Sequence, residues 1–228
     1  MSRVLLVVSE AGYWGEECIE PLNALDSVDV EVAVATPSGG PPVIDDQSLD
    51  PEMVGDQRAE YLESVHRTDE RLNDPMALAS AADGTYDGVV FPGGHGTVWD
   101  VNQDHHARAL LRETVDGAAG VALVVCHAVG LLAFTRSAEG SNEYLATDRS
   151  VTGFPNEWER DVVDENECLP DGRKLPYWVE DEVKAVGANW DAELDADESV
   201  TADGDLLTAR GPESSSLAAE TFLEHLFE

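Results

Sequence analysis

Short apolar runs alternate along this chain with longer stretches in which apolar positions recur every three or four residues. Val4–Val8, Val28–Ala35, Gly88–Phe91 and Val121–Val125 are compact and β-branched, as strands buried on both faces of a parallel sheet are. Between and after them, Glu16–Leu25, Val101–Ala118, His127–Phe134, Glu157–Asp164, Pro176–Val186 and Ser214–Phe227 read as helices. This alternation predicts an α/β fold, a doubly wound, flavodoxin-like sandwich around a mostly parallel central sheet. Asp45–Gly84 is polar, shows no clear strand and is long for a simple connection, so a helical insertion is expected around residues 45–84. No repeat or linker divides the 228 residues, which read as one domain.

Composition adds one unusual feature. The hydrophobic content of 43% is ordinary, but 13 basic residues face 47 acidic ones, a net charge of −34. Lys174 and Lys184 are the only lysines, and the acids are spread from end to end. Such a surface repels itself in dilute buffer, whereas in molar salt the Debye length shrinks to about 3 Å and screens it. The expected setting is the cytoplasm of a salt-accumulating halophile. Nucleic acid is not an expected partner, because phosphate binding needs clustered Lys and Arg. No run approaches a membrane span, so no membrane partner is expected. Three cysteines (Cys18, Cys126 and Cys168) are too few for a disulfide scaffold.

In this architecture ligands bind beyond the carboxyl ends of the strands. Those ends carry Glu10–Glu17, Pro92–Asp100 and Cys126-His127. A thiol delivered by an apolar strand into a helix start describes a nucleophile elbow, where the helix N-terminus favours the thiolate. The adjacent imidazole could carry its proton. The glycines of Pro92-Gly-Gly-His-Gly-Thr-Val-Trp-Asp100 let backbone N–H groups approach a ligand, as an oxyanion hole requires. A carboxyl from Trp14-Gly-Glu-Glu17 could reach over the sheet to the thiol. His105-His106 is better read as a solvated helix face, and Asp191–Glu198 as acidic surface without the ligand spacing of a calcium loop. Neither a metal nor a cofactor is expected.

Together these segments resemble the PfpI-type superfamily of class I glutamine-amidotransferase-like proteins, nearest to its heat-shock chaperone/glyoxalase III branch. The matching pieces are Glu17-x-x-x-Pro21, Ala35-Thr-Pro-Ser-Gly-Gly-Pro-Pro, Gly94-His-Gly-Thr-x-x-Asp100, Val125-Cys-His127, Val151-Thr-Gly-Phe154 and Glu180-Asp-x-x-Lys-x-x-Gly-Ala188. The resemblance implies Cys126 as nucleophile, His127 as general base or acid, and Glu17 as the acid hydrogen-bonded to sulfur. It implies oxyanion N–H groups at Gly94 and His127. His95, in the glycine-rich turn, either lines the substrate pocket or is a structural turn residue. The acid that orients His127 would be Glu159, with Glu157 as the alternative. Where the family has Gly-Pro after Cys-His, this chain has Ala128-Val129, which alters the local pocket. The implied activity is glutathione-independent conversion of methylglyoxal to lactate, on a small-molecule carbonyl substrate, by a homodimer. An amidase or peptidase of the PfpI kind, and a stress holdase or redox sensor, are the alternatives.

Overall fold

The computed structural model describes residues 2–117, 120–137 and 142–228. Its strands are β1 Ser2–Val7, β2 Val30–Thr36, β3 Met76–Ala77, β4 Gly88–Phe91, β5 Val121–Val125, β6 Ser150–Val151, β7 Asn189–Trp190, β8 Val200–Asp203 and β9 Leu206–Ala209. Its α-helices are α1 Gly15–Asp26, α2 Pro51–Val54, α3 Asp56–Thr68, α4 Glu70–Asn73, α5 Leu78–Ala81, α6 His105–Val115, α7 Gly130–Phe134, α8 Asn156–Val162, α9 Val179–Ala185 and α10 Ser215–Leu226. Seven strands form the main sheet in the order β3-β2-β1-β4-β5-β9-β8, parallel throughout except for the edge strand β8. This is the expected doubly wound α/β architecture.

The period-two geometry of a strand explains why the central runs are apolar throughout. Leu5 and Val7 of β1 face a core shared with Leu110 and Leu111 of α6 and Leu131 of α7. Val4 and Leu6 face the opposite core, with Ile19 and Leu22 of α1, Leu62 of α3 and Phe222 of α10. Both faces are therefore covered, and all the parallel strands present their carboxyl ends to one side.

Several elements differ from expectation. The segment 45–84 is helical over α2, α3, α4 and α5, but it also supplies β3, a two-residue edge strand paired with β2. The predicted helix Val101–Ala118 is broken. Val101–Gln103 is a 3-10 turn, and the extended residue Asp104 caps a new helix by accepting the N–H groups of His106 and Ala107. The predicted end at Ala118 lies outside the described residues. The antiparallel pair β8 and β9 was not expected. No described helix is long and apolar enough to cross a membrane.

Candidate active site

At the end of β5 the chain turns abruptly into the 3-10 turn Cys126–Val129 and then α7. Cys126 takes a φ of 56°, a left-handed conformation rare for a side chain with a Cβ, which lifts its thiol off the line of the sheet. The residue is only 3% exposed. Its Sγ lies 3.2 Å from His127 Nδ1, and the far side of that ring, Nε2, is 2.8 Å from Glu159 Oε2. Thiol, imidazole and carboxylate thus form a connected row.

Glu159 serves two rings. Its other oxygen, Oε1, is 3.0 Å from His95 Nε2, and the two imidazoles lie with centroids 4.1 Å apart. Burial alone would raise the Glu159 carboxyl, but His127 and His95 outweigh it and hold the group well below the ordinary carboxylate range. An ionised carboxylate only accepts, so each histidine donates from Nε2. In the neutral His127 ring Nδ1 is then an acceptor, and it faces the Cys126 sulfur. The Nδ1 of His95 is buried without a hydrogen-bond partner. Burial, reinforced by His95, lowers the pKa of His127 and keeps the resting ring neutral. Phe154 packs against that ring at 4.6 Å, and Asn102 Nδ2 donates to the His127 carbonyl at 2.9 Å.

Glu17, in the first turn of α1, approaches the thiol from the other side. It is fully buried, and its Oε2 accepts the Gly93 N–H at 2.8 Å. Oε1 has no other hydrogen-bond partner and is left for the sulfur. Burial pushes the Glu17 carboxyl up to about 8. Burial and the adjacent Glu17 carboxyl also raise the Cys126 thiol, only partly offset by the Gly94 N–H at the sulfur. Here the site departs from the sequence reading, in which a helix start favours the thiolate. A short 3-10 turn cannot outweigh full desolvation and a neighbouring acid. Cysteine and glutamate behave as a proton-sharing pair that ionises together with difficulty.

The glycine loop is fitted to this pair. A Cβ on Gly93 would stand 2.6 Å from Glu17 Oε2 and 2.8 Å from Cys126 Cβ, wedged between the two groups. Gly94 has a φ of 100°, and a Cβ there would meet the Trp14 nitrogen at 2.5 Å. Asp100 locks the neighbouring loop by accepting the Ser9 hydroxyl and the N–H groups of Glu10 and Ala11.

Cys126, His127, His95 and Gly94 open on a cleft of ≈ 450 Å³, walled by Trp14, Phe154 and Trp158 and roofed by Gln47, Met53 and Val54 of the 45–84 insertion. Of the residues proposed from sequence, Glu17, His95, Cys126, His127 and Glu159 are brought together, whereas Glu157 is exposed and points elsewhere. Sequence reasoning missed Asn102, Phe154, Arg210 and Glu213, whose roles depend on contacts far along the chain. Among the described residues, His95, His127 and Glu159 also place three potential metal-ligand atoms within 4.8 Å of one another. Both Glu159 oxygens are already engaged by the two rings, so a cation would have to displace those hydrogen bonds.

A sequence model of the DJ-1/PfpI family matches residues 2–225. The chain belongs to the DJ-1/PfpI family. Within the DJ-1/PfpI family it is 27% identical over 217 residues to a Pseudomonas aeruginosa (strain LESB58) protein named protein/nucleic acid deglycase HchA, covering 91% of this chain and 72% of that one. In fold it is similar to the structure of glyoxalase III from Candida albicans, with a TM-score of 0.78, 22% identity and coverage of 98% and 97%. It is also similar to the Francisella tularensis Rapid Encystment Protein of 24 kDa, with a TM-score of 0.79, 23% identity and full coverage of both chains.

Proposed function

We propose that this protein is a cysteine-dependent enzyme acting on small reactive carbonyls, and that its reaction is the glutathione-independent conversion of methylglyoxal to lactate. The observation that carries the reading is the continuous row Cys126–His127–Glu159, closed on the other side of the sulfur by the buried acid Glu17. Membership of the DJ-1/PfpI family and the names of two relatives, a deglycase and a glyoxalase III, support it.

As an aldehyde carbon approaches the sulfur, His127 Nδ1 takes the thiol proton, and Glu159 stabilises the imidazolium through Nε2. Protonated Glu17 donates to the sulfur, so the pair carries one negative charge rather than two. The thiolate forms a C–S bond to the aldehyde, and the new oxyanion, held by the Gly94 and His127 N–H groups, recovers the proton from His127 as a hemithioacetal. Neutral His127 next removes the hydrogen from that carbon. The electron pair moves onto the neighbouring carbonyl oxygen, which takes that proton from His127 to give an enediol; His127 then takes the proton of the first carbon's hydroxyl and delivers it to the second carbon. The first carbon is then a thioester. Water adds to it, the C–S bond breaks and lactic acid leaves, with the sulfur reprotonated. Reactants and products balance as methylglyoxal plus water to lactic acid.

The test is lactate formation from methylglyoxal without added thiol, across a range of salt. Wild type should produce lactate and Cys126→Ala should produce none. Equal rates in the two proteins would remove Cys126 from the chemistry.

A further inference from the structure

We propose that Glu213 makes the Cys126 cleft a charge filter, admitting uncharged carbonyl compounds and repelling carboxylate-bearing ones, the product acid included. The inference deepens the proposed function, from which it takes only that ligands approach Cys126.

The chain supplies the charge just after the unexpected β8–β9 hairpin. β9 ends at Ala209, and the following turn, Pro212–Ser214, places Pro212 and Glu213 in the wall of the cleft. Glu213 Oε1 accepts from Arg210 Nε at 2.7 Å and from the Ser214 hydroxyl at 2.9 Å. Oε2 has no hydrogen-bond partner among the described residues. Arg210 does not line the cleft. It is 1% exposed, its guanidinium lies over the Trp158 ring, and its remaining N–H groups are held by the carbonyls of Ala192, Glu193, Ala196 and Asp197. A cation so committed cannot swing round to meet a bound anion. The carboxylate therefore lines the cleft while its counter-ion does not.

The rest of the wall offers an anion nothing better. Glu16 is the other charged residue lining the cleft, with one oxygen on Trp14 Nε1 and the other on Arg58 Nε. No lysine or arginine lines the cleft among the described residues. Glu213 is near enough to the reacting atoms for its charge to oppose ionisation of both Cys126 and Glu17. That opposition is a cost to the nucleophile. It has a use where the substrate is neutral and the product is a carboxylate: the charge leaves an entering dicarbonyl unaffected and raises the energy of the departing acid.

Iodoacetamide and iodoacetate test the filter without recourse to the enzymatic reaction. Both alkylate a thiolate with loss of iodide and differ chiefly in charge. Rates at Cys126 are read by peptide mapping, with the partly exposed Cys168 as an internal reference for the field of the whole molecule. In wild type the preference for iodoacetamide should be larger at Cys126 than at Cys168. Glu213→Gln retains an acceptor for Arg210 and should lower the preference at Cys126 by about threefold or more, in proportion to one charge acting at a partly solvated distance. The preference at Cys168 should not move. Glu224→Gln, an exposed charge on α10, should leave both ratios as they are. An unchanged ratio at Cys126 in Glu213→Gln, or an equal fall in Glu224→Gln, overturns the proposal. Should Glu213→Gln fail to fold, wild type still decides: lactamide should protect Cys126 from iodoacetamide at concentrations where lactate does not, and equal protection by both refutes the filter. Failure to make lactate from methylglyoxal would defeat the proposed reaction and leave these ratios standing.

Discussion

Replacing Glu17 by glutamine tests whether the acid beside the thiol is protonated in the folded protein. Its carboxyl rises from the ordinary 4.5 to about 8 because it is fully buried. Below pH 4.5 the folded and unfolded chains both hold the proton. Between there and about pH 8 the unfolded chain has released it while the folded one has not, so stability falls as pH rises. Each pH unit in that window costs about 1.4 kcal/mol, and the fall ends once the folded carboxyl also ionises. From pH 6 to pH 9 the loss from this group is therefore about 2 to 3 kcal/mol. Glutamine has the same shape and does not titrate. The stability of Glu17→Gln minus that of wild type should widen by about this amount over the interval, the groups outside the Glu17–Cys126 pair being common to both proteins. Urea unfolding at pH 6, 7.5 and 9 in constant salt measures it. Parallel pH profiles would show that Glu17 is already ionised at neutral pH, and the proton-sharing pair would fall with it. Glutamine still offers the sulfur an N–H, so Cys126 alkylation and turnover should survive within about tenfold, the range of one lost charge-assisted hydrogen bond. Intact alkylation with turnover abolished would instead make Glu17 the group that moves the proton.

Glu159→Gln removes the charge that orients two imidazoles and stabilises the His127 cation. Steady-state turnover should fall by at least about 100-fold with the fold retained by circular dichroism. Gly93→Ala inserts a methyl between Glu17 and Cys126, 2.5 Å from the Val125 carbonyl. It should destabilise the protein by about 1 to 3 kcal/mol in urea, and a variant as stable and active as wild type would contradict the close packing of the pair. The net charge of −34 predicts a melting temperature that climbs from dilute buffer toward molar potassium chloride. A flat or falling curve would show that self-repulsion is not what limits stability.

How far the chain could be read from its letters follows from the range of the forces involved. β1, β4 and β5 announce themselves because burial on both faces leaves an unbroken apolar run, and β2 does so by its β-branched Val30, Val32 and Val34 despite the exposed Glu31. β3 has two residues, too few for any period. β8 and β9 are short, and the acidic turn between them, Asp203-Gly204-Asp205, looks like more surface. The Asp203-Gly204 pair is a hairpin signal, and Gly204 takes the positive φ that such a turn needs. In the site, Cys126 and His127 are neighbours in sequence and their contact is legible. The sharing of Glu159 between His127 and His95 spans 64 residues on the His95 side and needs the folded sheet. The raised thiol was also invisible, because desolvation is a property of what surrounds a residue rather than of the motif that carries it.

Arg210 reaches in two directions, holding four carbonyls of the 192–197 loop on one side and Glu213 at the cleft on the other. Loop and cleft wall are thus coupled like two ends of a strut pinned at its centre. A protease cut or a substitution that loosens residues 192–197 would free the guanidinium, let the Glu213 carboxylate drift and unseat Trp158 from its cation. An acidic surface loop that does not line the cleft becomes, through one buried side chain, part of the mechanics of the cleft wall.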